Sequence, residues 1–243
     1  MGIRRPHFAG AWYPDQEAAC LSELETFEAS AVPYQGETPL VGGLVPHAGW
    51  TFSGRLAFNT IREVARSMGD EGDLTVALLG GHLGPRSPAG VLSEGEIWTP
   101  LGPIQTDGEL ANALSRRFTL IPHGPEDHPQ DNTVELQFPI IRKLMPTARL
   151  LVISAPANPG SFELAHALVQ EAQHLGRRLA IIGSTDLTHY GPNYGWAPRG
   201  VGEQAEQWVR QENDARLLEL AVSLDHEGLL VEALESQNAC CPG

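Results

Sequence analysis

Residues 74–85 read LTVALLGGHLGP, a β-rich apolar run that ends in two glycines and a histidine. The run predicts a strand over Leu74–Leu79. Three further runs share its composition, namely Leu40–Pro46, Arg149–Ser154 and Leu179–Thr185. Each of these runs is short enough to be a buried strand of one sheet.

Segments with helical spacing separate these strands. Between the first two strands, aliphatic residues at intervals of three to five predict one face of a helix, at Leu56, Ile61, Val64 and Met68. Further helices are predicted over Ser161–Leu175, Gly202–Leu224 and Asp225–Ser236. The alternation predicts an α/β fold with a mixed, largely parallel sheet and helices on both faces.

Two capping patterns predict helix starts between the strand at Leu74–Leu79 and the strand at Arg149–Ser154. Thr106 and Glu109 form a T-x-x-E capping box, and Asn132 and Glu135 are interpreted in the same way. Pro139 should kink the second of these helices, because proline removes a backbone donor.

The stretch over 89–103, AGVLSEGEIWTPLGP, predicts a strand-rich excursion with glycine and proline turns, an antiparallel addition to the same domain. No linker or repeat interrupts the chain. A single domain over residues 1–243 is therefore expected.

Composition excludes several classes of protein. The 243 residues are 42% apolar and 19% charged, which is typical of a folded globular chain. The net charge of −14 opposes a groove for nucleic acid and binding to anionic lipid. No apolar run approaches the roughly 20 residues that cross a bilayer.

Cysteine usage and the amino terminus favour a cytoplasmic protein. No apolar stretch follows the early arginines, so a secretory signal is not expected. The three cysteines are Cys20, Cys240 and Cys241, an odd number that makes a poor disulfide framework. Reduced thiols are expected.

Four polar residues directly follow predicted strands. His47 follows the first strand and His82 the second, while Asp186 and His189 follow the last. Ligands of open α/β sheets bind outside the carboxyl ends of the strands, so these side chains are expected at one edge of the sheet.

The residue types point to a metal site. Two neutral imidazoles plus one anion hold a divalent ion with positions left open. The anion is either Asp186 or a cysteine thiolate, and His189 is then available for proton transfer.

Other candidates receive structural interpretations. The segment PHGPEDHPQD, with His123 and His128, has the composition of a solvated loop. Ser184 lacks the G-x-S-x-G elbow of a nucleophile, and neither a dinucleotide fingerprint nor a Walker sequence is present.

Six ordered motifs resemble the MEMO family, which includes the B component of the bacterial AmmeMemoRadiSam system. They are HFAGAWYP (7–14), VPHAGWTFSG (45–54), LLGGHLGP (78–85), DNTVELQFP (131–139), STDLTHYG (184–191) and NACCPG (238–243). The resemblance implies a fold similar to the class III extradiol (LigB-type) dioxygenases, which use non-haem Fe(II).

The family's metal site matches His47, His82 and, by the C-x-x-G pattern, Cys240. The same resemblance implies that Asp186 and His189 lie beside the metal ligands or transfer protons. Fe(II) is the expected metal, with copper or zinc as alternatives, because a thiolate replaces the usual carboxylate.

Three departures from the family pattern bear on activity. Asn132 stands where the family usually has histidine, and an amide cannot act as a base. Cys241 stands where glycine is usual, so either thiol could be the ligand, and Cys240 is favoured. The chain also ends at Gly243, where relatives continue through a further helix and strand.

Three functions follow from these expectations. The first is a dioxygenase-like oxidoreductase acting on a small-molecule substrate. The second is a module on the same fold that binds a peptide or phosphopeptide without catalysis. The third is a metal-dependent hydrolase. The sequence leaves substrate, physiological metal and oligomeric state open.

Overall fold

A computed structural model of the protein describes residues 2–69 and 72–239. These residues form two compact units, which comprise residues 2–184 and residues 185–239. The single domain expected over residues 1–243 stays a prediction.

The first unit alternates strands and helices. Its strands are β1 (Ile3–Arg4), β2 (Gly42–Val45), β3 (Leu74–Gly80), β4 (Gly90–Leu92), β5 (Glu96–Ile97), β6 (Ile104–Gln105), β7 (Ile121–His123), β8 (Arg149–Ser154) and β9 (Arg178–Ser184). Its helices are α1 (Glu17–Ala29), α2 (Trp50–Met68), α3 (Gly108–Arg117), α4 (Asn132–Glu135), α5 (Phe138–Leu144) and α6 (Gly160–His174).

A six-stranded sheet with the order β2-β9-β3-β8-β4-β7 organises this unit. All neighbouring pairs are parallel except β4 with β8, which are antiparallel. The mixed, largely parallel α/β sheet predicted from the sequence is therefore confirmed. A second, small sheet contains β1, β5 and β6, so the strands of the excursion over 89–103 divide between two sheets, with β4 antiparallel to β8 and β5 antiparallel to β6.

Helices cover both faces of the large sheet, and alternate strand residues point to opposite layers. Val76 and Leu78 of β3 belong to the core that includes residues of α1, α2 and α5. Ala77, between them, belongs to the core that includes residues of α3 and α6. The central strands are apolar on both sides because both layers are buried.

Two predicted helix details are wrong. Leu56 was expected on the buried face of α2 but is exposed, whereas Ile61 and Val64 are buried. The capping box at Thr106 is displaced by one residue, because the Asp107 carboxylate accepts from the Leu110 amide and the Thr106 hydroxyl donates to the Gly95 carbonyl.

The helix predicted to begin at Asn132 and kink at Pro139 is instead divided into two helices before Pro139. Helix α4 ends at Glu135 and α5 begins at Phe138, with Pro139 in its first turn. Proline is tolerated in a first turn because the amide it lacks would have no helical partner there.

The second unit is helical after an irregular start. It contains a 3₁₀ turn (Pro192–Tyr194), α7 (Glu203–Trp208), a π-helical turn (Val209–Asn213), α8 (Asp214–Val222) and α9 (His226–Ser236). The continuous helix predicted over Gly202–Leu224 is therefore interrupted by the π-helical turn. Among the described residues, no helix is both long and apolar enough to cross a membrane.

Candidate metal centre

The loops after β2 and β3 bring two predicted ligands together. His47 follows β2 and is buried, and His82 follows β3 and is exposed. Their ring centroids are 5.6 Å apart, and the rings are nearly perpendicular at 85°. The strand-end prediction is thus confirmed for this pair of histidines.

Ser184 determines which nitrogen of His47 carries the proton. The Ser184 hydroxyl donates to the Thr133 carbonyl at 2.6 Å, and its oxygen lies 2.9 Å from His47 Nδ1. A hydroxyl has one proton to donate, so its oxygen must accept from Nδ1–H. His47 therefore donates Nδ1–H to Ser184, and metal-ligating histidines typically donate one ring N–H in this way.

Asn132 bridges the two histidines. Its Nδ2 donates to the His47 carbonyl at 3.2 Å, and its Oδ1 lies 3.0 Å from His82 Nε2. Because the amide oxygen can only accept, Nε2 of His82 has the proton in this arrangement.

The short helix α4 places Asn132 at this point. The helix begins after Asp131, whose carboxylate accepts from the backbone amide of Thr133 at 2.9 Å and from its hydroxyl at 2.7 Å. Thr133 Oγ1 in turn accepts from the Gly81 amide at 2.9 Å. Asn132 was expected to cap this helix, but Asp131 does so, and the Asn132 side chain is left to contact the histidines.

Two glycines allow this close approach. A Cβ at Gly80 would collide with the Thr133 side chain, and Gly81 has a φ of +114°, which L side chains rarely adopt. The glycine pair before His82 therefore lets β3 end directly against α4.

A buried carboxylate on α4 ties the amino-terminal segment to the site. Glu135 accepts from the backbone amides of His7 and Phe8 at 2.7 Å each and from Arg4 Nη1 at 2.9 Å. The Tyr13 hydroxyl also donates to it at 3.3 Å. Burial, reinforced by the Glu135 charge, raises the pKa of Tyr13 well above its usual range, so the hydroxyl keeps its proton.

His128 belongs to the same buried cluster, and its assignment to a solvated loop was wrong. It is buried, and its Nδ1 accepts from Arg4 Nε at 3.2 Å. Burial, followed by the Arg4 charge, lowers the pKa of His128 to about 4, so the ring is neutral near pH 7. The neighbouring His123 ring lies 5.8 Å away.

In the second unit, the predicted acid and base are close to each other. His189 Nε2 lies 3.7 Å from Asp186 Oδ2, an ion-pair distance longer than a hydrogen bond. The His189 ring lies 4.5 Å from that of Tyr194. The expected convergence of Asp186 and His189 with His47 and His82 stays a prediction.

The third predicted ligand, Cys240, lies outside the described residues, as does its alternative Cys241. Within residues 2–69 and 72–239, no group of three or more His, Cys, Asp or Glu side chains is arranged to hold a metal. The described part of the site is thus a pair of imidazoles, each held by a hydrogen bond from one ring nitrogen, and imidazole is a donor type that fits a divalent transition metal.

Sequence reasoning missed Ser184 as the partner of His47, Thr133 as the partner of Ser184, and Glu135 as the anchor of the amino terminus. The one available signal for Glu135 was a charged residue within the apolar run VELQFP. No local pattern marks the other two, because Ser184 pairs with His47 over 137 residues of chain.

Comparison with known proteins gives the family. The sequence matches the family described as Memo-like protein over residues 4–243. It is 32% identical over 250 residues to a MEMO1 family protein of Thermococcus onnurineus, an alignment that covers 99% of this chain and 84% of the relative. The corresponding protein of Pyrococcus abyssi is 31% identical over 250 residues, with the same coverage. A MEMO1 family protein of Methanopyrus kandleri is 29% identical over 255 residues, and the alignment covers 99% of this chain and 82% of the relative. The resemblance stated from the six motifs is confirmed, and the chain belongs to the Memo family.

Proposed function

We propose that this protein is a metal-dependent oxidoreductase, similar to a dioxygenase, that acts on a small-molecule substrate. The observation that supports it is the His47–His82 pair, whose rings lie 5.6 Å apart and each of which has one ring nitrogen in a hydrogen bond to a neighbouring side chain. Imidazoles oriented in this way by a hydroxyl and an amide are typical of metal ligands.

Three residues would hold the ion in this proposal, namely His47, His82 and the Cys240 thiolate. Fe(II) is the proposed metal, with copper or zinc as alternatives that the thiolate favours. When bound, such an ion supplies open coordination positions for O₂ and substrate. A fold similar to the class III extradiol dioxygenases is part of the same proposal.

The remaining residues have separate roles. His189 would transfer protons, and Asp186, 3.7 Å away, would orient the ring. Asn132 would act only through hydrogen bonds to His47 and His82, because an amide takes up no proton near neutral pH.

We place this activity in a reducing compartment such as the cytoplasm. Cys20 is buried with a free thiol, and burial raises its pKa to about 12. A thiol with a pKa this high is almost entirely protonated, so it resists oxidation while the proposed Cys240 ligand needs reducing conditions.

A peptide-binding module is the second candidate, and one surface feature favours it. Phe52 and Leu56 are both exposed and lie one turn apart on α2, whose first residue comes three positions after His47. Exposed apolar side chains at this spacing are typical anchors for a partner. The hydrolase is kept as an outcome of the test below.

The test is metal analysis of the full chain, reconstituted without oxygen with Fe(II), Cu(II) or Zn(II) in turn. About one ion per chain is expected, as for a single centre with three protein ligands. The variant with both His47→Ala and His82→Ala should lose the ion, while His174→Ala, at an exposed position on α6, should retain it.

Oxygen uptake with a panel of catechols then separates the candidate functions. Uptake that the double variant loses supports the oxidoreductase. Metal binding with no uptake but with ester or amide cleavage indicates the hydrolase. Metal retained by the double variant contradicts the proposed centre, and the binding module then becomes the better account.

A further inference from the structure

A π-helical turn over Val209–Asn213 interrupts the helical segment of the second unit. A π-turn holds an extra residue compared with an α-helical turn, is energetically unfavourable, and is found frequently at functional sites. Its last residue, Asn213, is buried, although Gln211 in the same turn is exposed. The turn therefore places one polar side chain in the interior of the unit.

The π-turn directs two consecutive residues toward the same threonine. Asn213 Nδ2 donates to Thr188 Oγ1 at 2.9 Å. Asp214 Oδ1 accepts from the Thr188 amide at 3.1 Å and from its hydroxyl at 2.5 Å. Consecutive residues of a regular α-helix do not face each other, so the wider turn makes this double contact possible.

Thr188 lies between the proposed acid–base residues. It immediately precedes His189 and comes two residues after Asp186. Its hydroxyl makes two hydrogen bonds, since it donates to Asp214 and accepts from Asn213. The loop with the proposed proton-transfer residues is thus anchored at its centre.

The same asparagine contacts the chain segment that leads to Cys240. Asn238 is buried, and its Nδ2 donates to the Asn213 carbonyl at 2.9 Å and to Glu232 Oε1 at 3.1 Å. Asn213 Nδ2 also lies 3.5 Å from the Ser236 carbonyl. Cys240 follows Asn238 by two positions in the sequence.

We propose that Asn213 is a positioning residue that holds the Asp186–His189 loop and the segment leading to Cys240 in a fixed relation. Its side chain anchors the loop through Thr188, and its main chain anchors the segment through Asn238. The functional consequence rests on the proposed metal centre, in which both pieces of chain take part.

Two near-isosteric variants of the full chain test this role. Asn213→Asp keeps the shape and the backbone carbonyl but replaces the donor to Thr188 with a carboxylate oxygen. Thr188→Val removes the hydroxyl and keeps the branched shape. Thr188→Ser, which retains the hydroxyl, is the rescue variant, and Gln211→Ala is the control within the π-turn.

Two readouts are measured on folded samples with unchanged circular dichroism. The first is Fe(II) affinity by chelator competition without oxygen, which Asn213→Asp and Thr188→Val should each weaken about 10- to 100-fold, as for residues that support metal ligands. The second is the ratio of iodoacetamide labelling at Cys240 and Cys241 in metal-free protein, by peptide mass spectrometry. Both variants should shift this ratio, whereas Thr188→Ser and Gln211→Ala should keep wild-type values.

The labelling ratio distinguishes failure of this proposal from failure of the metal centre. Wild-type protein that binds no Fe(II) contradicts the centre, but a shifted ratio in Asn213→Asp and Thr188→Val still supports the positioning role. An unchanged ratio and unchanged affinity in both variants overturn that role. An equal shift in Gln211→Ala also overturns it, since the effect would not be specific to the Thr188 contact. If Asn213→Asp does not fold, comparing the labelling ratio and Fe(II) affinity of Thr188→Val with those of Thr188→Ser tests the positioning role.

Discussion

His47 Nδ1 lies 2.9 Å from the hydroxyl oxygen of Ser184, and this contact joins two strand ends of the large sheet. Strands β2 and β9 are parallel neighbours, and Ser184 is paired with Val45, two residues before His47. The serine is therefore placed by strand register, and it holds the proton on the side of the ring opposite Nε2.

Replacing Ser184 tests this tautomer assignment. Ser184→Ala should weaken Fe(II) binding about 10- to 100-fold, because the His47 ring loses the partner that fixes its proton on Nδ1. Nitrogen NMR of the metal-free protein should show His47 mainly as the Nδ1–H tautomer in wild type and as a mixture in the variant.

Ser115→Ala is the matched control for this change. The Ser115 hydroxyl donates to the Ala111 carbonyl within α3, so its loss should alter neither the Fe(II) affinity nor the His47 tautomer. An unchanged His47 tautomer in Ser184→Ala would show that another contact fixes the ring.

The large sheet was predictable because its signal is local. The strand predicted over Arg149–Ser154 has the same bounds in the structure, and the strand predicted over Leu74–Leu79 is longer by one residue. Buried aliphatic runs bounded by polar or glycine residues leave few alternatives.

Helix starts were predictable only to about one residue, because neighbouring polar side chains compete for the same role. Thr106 and Asp107 can both cap a helix, and the local pattern does not say that the Thr106 hydroxyl bonds the Gly95 carbonyl. In the same way, Asp131 caps α4 and leaves Asn132 to contact the histidines.

The candidate site was predictable only in part. His47 and His82 were identifiable because parallel strands deliver their following residues to one edge. The contacts that orient His47 were not, since Ser184 is 137 residues away and the Thr133 carbonyl that binds Ser184 has no periodic signal. His128 was misjudged because its Pro-rich, polar surroundings suggest exposure, although Arg4, distant by 124 residues, buries it.

The buried pair of Arg4 and Glu135 should matter strongly for stability. Both side chains are only 1% exposed and lie 2.9 Å apart. Glu135→Gln should lower the free energy of unfolding by about 3–5 kcal/mol, because it leaves the Arg4 charge buried without compensation. Urea denaturation followed by circular dichroism measures the change.

The double variant Arg4→Met, Glu135→Gln separates charge from packing. It removes the guanidinium that Glu135→Gln leaves without its carboxylate partner. It keeps an amide oxygen that can accept from the His7 and Phe8 amides. It should be more stable than Glu135→Gln alone. If the double variant loses as much unfolding free energy as the two single variants together, the account based on buried charge is contradicted.

His128 should make stability depend on pH in a defined window. Its pKa is about 4 in the folded protein and 6.5 without these surroundings. Between these values the unfolded chain binds more protons, so stability falls as pH decreases from about 6.5 to about 4. The contribution is at most about 1.4 kcal/mol per pH unit.

Substituting His128 should flatten this part of the stability curve. His128→Gln cannot titrate, and its amide oxygen can still accept from Arg4. Urea denaturation at several pH values measures the difference in the free energy of unfolding between wild type and variant. This difference should change between pH 6.5 and 4 and be constant above pH 7. The exposed His174→Ala serves as the control and should follow wild type.

Asp107 should affect the free energy of unfolding in a lower pH window, and its two carboxylate oxygens contribute separately. Its Oδ1 accepts from the Leu110 amide at 3.1 Å and caps α3, while its Oδ2 accepts from Thr75 Oγ1 at 2.6 Å and from Arg177 Nε at 2.9 Å. Burial alone would raise the pKa of Asp107, but these hydrogen bonds outweigh it and hold the pKa below 3.8.

The folded protein therefore gains stability from the Asp107 carboxylate above about pH 4 and loses it as pH falls through the lowered pKa. At pH 7, Asp107→Asn should cost about 1.5–3 kcal/mol, since it keeps a capping oxygen but loses the charged contact. Asp107→Ala should cost about 1 kcal/mol more, because the cap is lost as well. Urea denaturation at pH 7 and pH 3 measures both. The two variants should approach wild type at pH 3, and a difference that stays the same at both pH values would show that the Asp107 charge contributes nothing to stability.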